Sequence, residues 1–241
     1  MNILIALITG ITGAVVHVLS GPDHLAAVIP FAIEEKRKSW KVGFAWGLGH
    51  LTGMLSIGLL FYFLKQNINI ESFSAYSEVI VGITLIGIGI WAVAKALGYP
   101  IHKKHWHLHI SDTSFVHRHH GDIHDTSVHG EHTKEETINN RLSAFYIGTV
   151  HGFAGIAHFI LFLPILGFDN TGQIFSYIAG FAIGTVLAML VFAVALGQIS
   201  FRMAANGNKN STFKILRLAS GIFAIAIGIY WIMASILFSS G

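Results

Sequence analysis

The chain has 241 residues, 53% hydrophobic and 11% charged, with 15 histidines, 26 glycines, no cysteine and a formal net charge of +3. A water-soluble domain carries about 25% charged residues, so this composition excludes an ordinary soluble globule and points to lipid as the solvent. The lack of cysteine excludes disulfides, thiolate-bound zinc, iron–sulfur clusters and a cysteine nucleophile, and so small a net charge excludes nucleic acid as a partner.

Six apolar runs reach the roughly 20 residues needed to cross a hydrocarbon core of about 30 Å. They extend from Asn2 to Ile33, Val42 to Leu64, Tyr76 to Leu97, Leu142 to Phe168, Gln173 to Ile199 and Phe213 to Phe238. Each is continuously apolar instead of alternating, which argues against a transmembrane barrel and predicts an all-α integral membrane protein. The first run has no basic leading region and continues past signal-peptide length into Gly21-Pro-Asp-His24.

Lysine and arginine alternate between the connecting segments. Lys36, Arg37, Lys38 and Lys41 follow the first run, and Lys65 alone follows the second. Lys95, Lys103, Lys104, Arg118, Lys134 and Arg141 follow the third, none follows the fourth, and Arg202, Lys209, Lys214 and Arg217 follow the fifth. Fourteen of the fifteen cations thus fall on one face, which the positive-inside rule makes cytoplasmic. The expectation is a multi-pass protein of the cell membrane with both termini outside.

The two halves resemble each other. At an offset of 134, His17-Val-Leu-Ser-Gly-Pro-Asp-His24 falls on His151-Gly-Phe-Ala-Gly-Ile-Ala-His158, and at an offset of 139 Gly82 to Trp91 falls on Gly221 to Tyr230. Gly47 with Gly180 and Thr52 with Thr185 link the second and fifth runs. An odd number of spans per half makes the second half enter the membrane from the opposite side, so the prediction is six transmembrane helices in two inverted three-helix repeats. That is the architecture of alternating access around a midplane site. The divisions are residues 1–98 for repeat 1, 99–141 for a cytoplasmic histidine-rich loop without fixed structure, and 142–241 for repeat 2.

Five histidines, His17, His24, His50, His151 and His158, lie within the spans near mid-membrane, with Asp23 as the one deep carboxylate. An ionised aspartate there costs on the order of 3 kcal/mol and needs a cation, a proton or a water-filled cavity. A lone buried histidine is ordinarily a packing residue, but five with an aspartate form a candidate metal or proton pathway. Residues seven apart in an intact helix are about 10 Å apart, too far to share one ion. Gly21-Pro22 allows the helix to open, because proline cannot donate to the carbonyl of Val18, and opening brings His17, Asp23 and His24 together. In the second half Pro22 and Asp23 become Ile156 and Ala157, so the expected site is asymmetric. Imidazoles with one carboxylate suit nickel, cobalt or zinc as the substrate ion, with no tightly bound cofactor. Binding should weaken below about pH 6.5, where imidazole protonates.

Ten of the 31 residues from His102 to His132 are histidine. No apolar periodicity equips this tract to pack a core, so it is read as a solvated metal-capturing or sensing segment, with His117, His119, His120, His124, His129 and His132 as its densest ligands. A cytoplasmic metallochaperone fits as a partner.

The stretch His17 to Leu25, ending Asp23-His24-Leu25, and Gly43-Phe-Ala-Trp-Gly-Leu-Gly-His50-Leu-Thr52 resemble the nickel/cobalt transporter superfamily, particularly its urease-accessory-type nickel permeases. Five residues separate His17 from Asp23, where the family pattern has four. His151 and His158 look like the second-half histidines, and the histidine-rich loop resembles that of the efflux members. The resemblance implies transport of divalent nickel or cobalt, with uptake and efflux both open. The competing reading is a membrane metal-dependent hydrolase or oxygenase using the same histidines, which would want a general base or closely spaced histidine boxes at one membrane face.

Overall fold

A computed structural model describes residues 2–64, 70–99, 129–153, 164, 167–205 and 209–239. Its described residues form helices α1 (Ile3–Ser20), α2 (Pro22–Glu35), α3 (Trp40–Leu64), α4 (Ile70–Leu97), α5 (His129–Gly152), α6 (Thr171–Ala205) and α7 (Lys209–Ser239), with a short 3-10 turn at Lys36–Lys38. Five segments are long and apolar enough to cross a membrane: Ile3–Ser20, Trp40–Leu59, Tyr76–Leu97, Thr171–Met203 and Ser211–Leu237. Large apolar side chains such as Ile5, Ile83, Val191, Ile222 and Leu237 point outward. That surface is unsuited to water and suited to lipid, and the protein is a multi-pass membrane protein.

The first apolar run is broken, and the break lies where Gly21-Pro22 predicts it. Pro22 sits at the first position of α2, where a missing N–H costs nothing, while the Gly21 N–H closes α1 by donating to the carbonyl of His17 at 3.2 Å. The two pieces remain side by side with one partner helix. Unbroken α6 follows both, with Ser176 Oγ donating to the carbonyl of Ile3 at one end and Ser200 Oγ donating to that of Ile33 at the other.

Three helix pairs dominate the packing: α1 with α6, α3 with α5, and α4 with α7. Small residues at each crossing let the backbones approach closely, the usual means of association in lipid. In the first pair Gly180 faces Leu7 and Gly184 faces Ile11, so the helices are parallel. In the second Gly49 faces Phe145 and Gly53 faces Thr149, again parallel. In the third Gly82 faces Gly228 and Gly89 faces Gly221, so α4 and α7 are antiparallel. A Cβ added at Gly82 would lie 2.7 Å from the Gly228 carbonyl oxygen, and one at Gly221 would lie 2.8 Å from that of Gly89. These four glycines are the ones matched between the halves at an offset of 139.

The cationic face is visible in the packing. At the far end of α2, Glu34 binds Lys95 of α4 at 3.0 Å and Arg217 of α7 at 2.5 Å, and Arg217 also donates to the carbonyl of Lys95. Glu35 accepts from Asn140 of α5 at 2.9 Å. Lys36 lies over the ring of Phe213 and Arg37 over that of Phe201.

One difference from the sequence reading concerns the loop. Helix α5 begins at His129, so residues 129–141, expected to lack fixed structure, are helical. Extending an existing helix costs far less than nucleating one, and Lys134, Glu135, Glu136 and Arg141 are good helix formers continuous with the apolar span.

Candidate metal centre

The site is built at the break, and its depth is fixed by α6. His17 approaches Phe181, with ring centroids 6.2 Å apart, and Gly47 of α3 faces Val186. Val186 lies in the middle third of α6 (Thr171–Ala205) and Phe181 at the end of its first third.

His17 occupies the last turn of α1, and Asp23 the first turn of α2, where the helix N-terminus favours an anion. His24 follows at once. Both carboxylate oxygens are engaged, with His24 Nδ1 3.1 Å from Oδ1 and His151 Nε2 3.0 Å from Oδ2. The imidazole of His24 is the hub. Its centroid lies 4.6 Å from that of His17, 5.1 Å from His50 and 4.7 Å from His151. With Nδ1 turned to Asp23, His24 Nε2 is buried and has no hydrogen-bond partner among the described residues.

These side chains compose two overlapping ligand sets, His17 with His24 and His50, and Asp23 with His24 and His151. In each, the ligand atoms all lie within 4.8 Å of one another. Side-chain rotation suffices to bring such a set onto one ion at bond lengths of about 2.0–2.2 Å. Three nitrogens, or two nitrogens and a carboxylate oxygen, suit a borderline divalent ion better than magnesium or calcium.

Three further residues shape the centre. Trp46 is fully buried and stacks on His50 at 4.9 Å with 14° between the planes, within 5.4 Å of His24 and 5.5 Å of His151. It therefore roofs three of the rings and excludes water. Its spacing of four from His50 places both on one helix face, a signal the sequence carried without identifying Trp46 as part of the site. Gly21 matters for space: its φ of −87° suits any residue, but a Cβ there would collide with His24 Nδ1 and lie 2.8 Å from Asp23 Oδ1. Gly152 likewise lets α5 press its backbone against the carbonyl of His50, setting His50 and His151 side by side.

The structure thus brings together His17, Asp23, His24, His50 and His151. His158 lies outside the described residues, as do His117, His119, His120 and His124 of the loop, while His129 and His132 fall on the first turn of α5. Thr52 stands apart, exposed, with its hydroxyl donating to the carbonyl of Leu48 at 2.8 Å.

Comparison with known proteins gives a consistent picture. The family model described as cytochrome c biogenesis protein transmembrane region matches residues 5–230. The chain is 30% identical over 230 residues to the urease accessory protein UreH of Bacillus sp. (strain TB-90), covering 93% of this chain and 91% of that protein. It is 32% identical over 222 residues to the Arabidopsis thaliana chloroplast protein FOR GROWTH AND FERTILITY 2, covering 92% of this chain and 54% of the relative. With FOR GROWTH AND FERTILITY 1 of the same plant the identity is 33% over 199 residues, or 80% and 49% of the two chains. The chain therefore spans about half the length of these plant relatives. No solved structure matches it.

Proposed function

This chain belongs to the cytochrome c biogenesis protein transmembrane-region family, and within that membership we propose that it transports a divalent transition-metal cation, nickel or cobalt before zinc, through the cluster at the α1–α2 break. The observation that carries the reading is the set Asp23, His24 and His151, a buried carboxylate held between two imidazoles within ligand distance. In that surrounding an anion faces side chains that carry no permanent charge, and a divalent ion with nitrogen preference supplies the missing cation.

The transport architecture in this reading is six spans in two inverted repeats. A twofold axis in the membrane plane exchanges the first span of one half with the first span of the other, and so on through each half. It therefore maps a parallel α1–α6 pair onto a parallel α3–α5 pair, and maps the antiparallel α4–α7 pair onto itself. The parallel pairings, and the reciprocal contacts of Gly82 with Gly228 and Gly89 with Gly221, support this arrangement. The chain leaves α5 at the depth of His50 and resumes at Thr171, near Ile3, which supports a crossing between them. We place the cationic end of α2 in the cytoplasm of a cell-membrane protein, where the tract from His102 to His132 captures metal and a metallochaperone could exchange it.

A hydrolase or oxygenase at the same rings would need a further base. The other carboxylates of α2, Glu34 and Glu35, are held at its opposite end by Lys95, Arg217 and Asn140.

The test is flux. Purified protein in liposomes enclosing a metal-sensitive dye should give saturable Ni2+ or Co2+ influx above protein-free liposomes, abolished by His24→Ala. Influx no greater than that of protein-free liposomes for nickel, cobalt and zinc alike would refute the proposal.

A further inference from the structure

The two ligand sets cannot be filled together, because both need His24 and because two divalent ions so close would repel strongly. We propose that they are successive stations for a single ion, passed from His17, His24 and His50 to Asp23, His24 and His151 with His24 as the ligand that never lets go. This inference rests on the metal-transport reading above.

Three features carry it. The first is composition: one station offers three neutral imidazoles, whereas the other adds a carboxylate that offsets part of the ion's charge, so the two hold the same ion with unequal strength. The second is burial: Asp23, His24, His50 and His151 are all buried, and His17, half-buried as a residue, has its Nε2 buried, so both stations lie inside the protein. The third is the placement of His24, whose ring neighbours those of His17, His50 and His151 and whose Nε2 is buried without a hydrogen-bond partner among the described residues.

The elements divide in the same way. The first station joins α1, α2 and α3, and the second joins α2 to α5. A small shift of α5 against α2, with its backbone already pressed to α3 at Gly152, is enough to favour one station over the other. Exchange then proceeds ligand by ligand, with no step at which the ion is bare in the membrane interior.

Cobalt is the useful probe, because its visible absorption reports coordination. Wild-type protein should bind one Co2+. His50→Ala removes a ligand from the first station alone and His151→Ala from the second alone. Each variant should still bind one Co2+, with different visible spectra, one from a carboxylate-containing set and the other from imidazoles only. Flux in liposomes should fall by about a hundredfold or more in both, since removing a ligand exceeds the ~10–100-fold cost of an outer-shell change. His24→Ala should lose binding and flux together. His50→Gln and His151→Gln repeat the comparison should either alanine variant fail to elute as a folded protein.

Two Co2+ bound to wild type, near-wild-type flux in either single-station variant, or complete loss of binding in both would overturn the two-station path. The last result means a single merged site and leaves the transport proposal intact. Wild-type protein that neither binds nor moves cobalt or nickel would instead remove the transport proposal, and this inference with it.

Discussion

Helix α2 carries a carboxylate with ion-pair partners near each end, Asp23 buried and Glu34 half-buried, and the two are neutralised differently. Glu34 meets the ammonium of Lys95 and the guanidinium of Arg217, and it clamps α2 to the α4–α7 pair. Asp23 meets His24 and His151, whose imidazoles, unlike a guanidinium, are not permanent cations. The first carboxylate is satisfied by the protein itself. The second is provided with polar partners but not with a permanent charge, and in the proposed function a mobile cation meets that residual demand. A buried carboxylate is therefore informative about function chiefly through the kind of partner it has.

The sharpest way to break this contrast is at Asp23. Asp23→Asn keeps the shape and removes the charge, and metal affinity should fall by at least about a hundredfold, measured by equilibrium titration with Ni2+ or Co2+. Gly21→Ala should come next. Its Cβ displaces the mobile His24 and Asp23 side chains and leaves the helical packing in place, so affinity should drop about tenfold or more with an unchanged melting profile. Glu34→Gln should do the reverse, leaving affinity within a few-fold and lowering stability by about 2 kcal/mol because two cations lose a partner, seen as a lower Tm in detergent. Replacing the whole cluster by Glu34→Leu, Lys95→Met and Arg217→Leu should restore much of that Tm, since an apolar set of similar size often matches a buried ion cluster. The smallest effect is expected from deleting residues 102–128, which spares α5. Apparent affinity or regulation should change more than maximal flux in a dose–response measurement.

Much of this was legible in the residues. Gly21-Pro22 signalled the break because proline removes a donor and cannot continue α1. Histidine and aspartate in lipid signalled the site because such groups are costly there. The glycines of α4 and α7 were matched by offset before their contacts were visible, since close backbone approach constrains residue size. Other features depend on distances between remote segments that periodicity does not encode. Nothing in the sequence puts His151 beside Asp23, because the direct contact of α2 with α5 joins segments remote from each other in the chain. Trp46 was readable as a face-mate of His50 but not as a roof over three rings. The helical start of α5 at His129 was obscured by its polar composition, which resembles solvated chain until the apolar continuation of the same helix is considered.

The central claim is that the break in the first span is a cation site and the far end of α2 is a clamp. The most direct test is the initial rate of Ni2+ influx into liposomes containing equal amounts of folded wild type, Asp23→Asn and Glu34→Gln. The account predicts saturable influx for wild type and Glu34→Gln and none above background for Asp23→Asn. Equal influx for wild type and Asp23→Asn, or loss through Glu34→Gln alone, would contradict it.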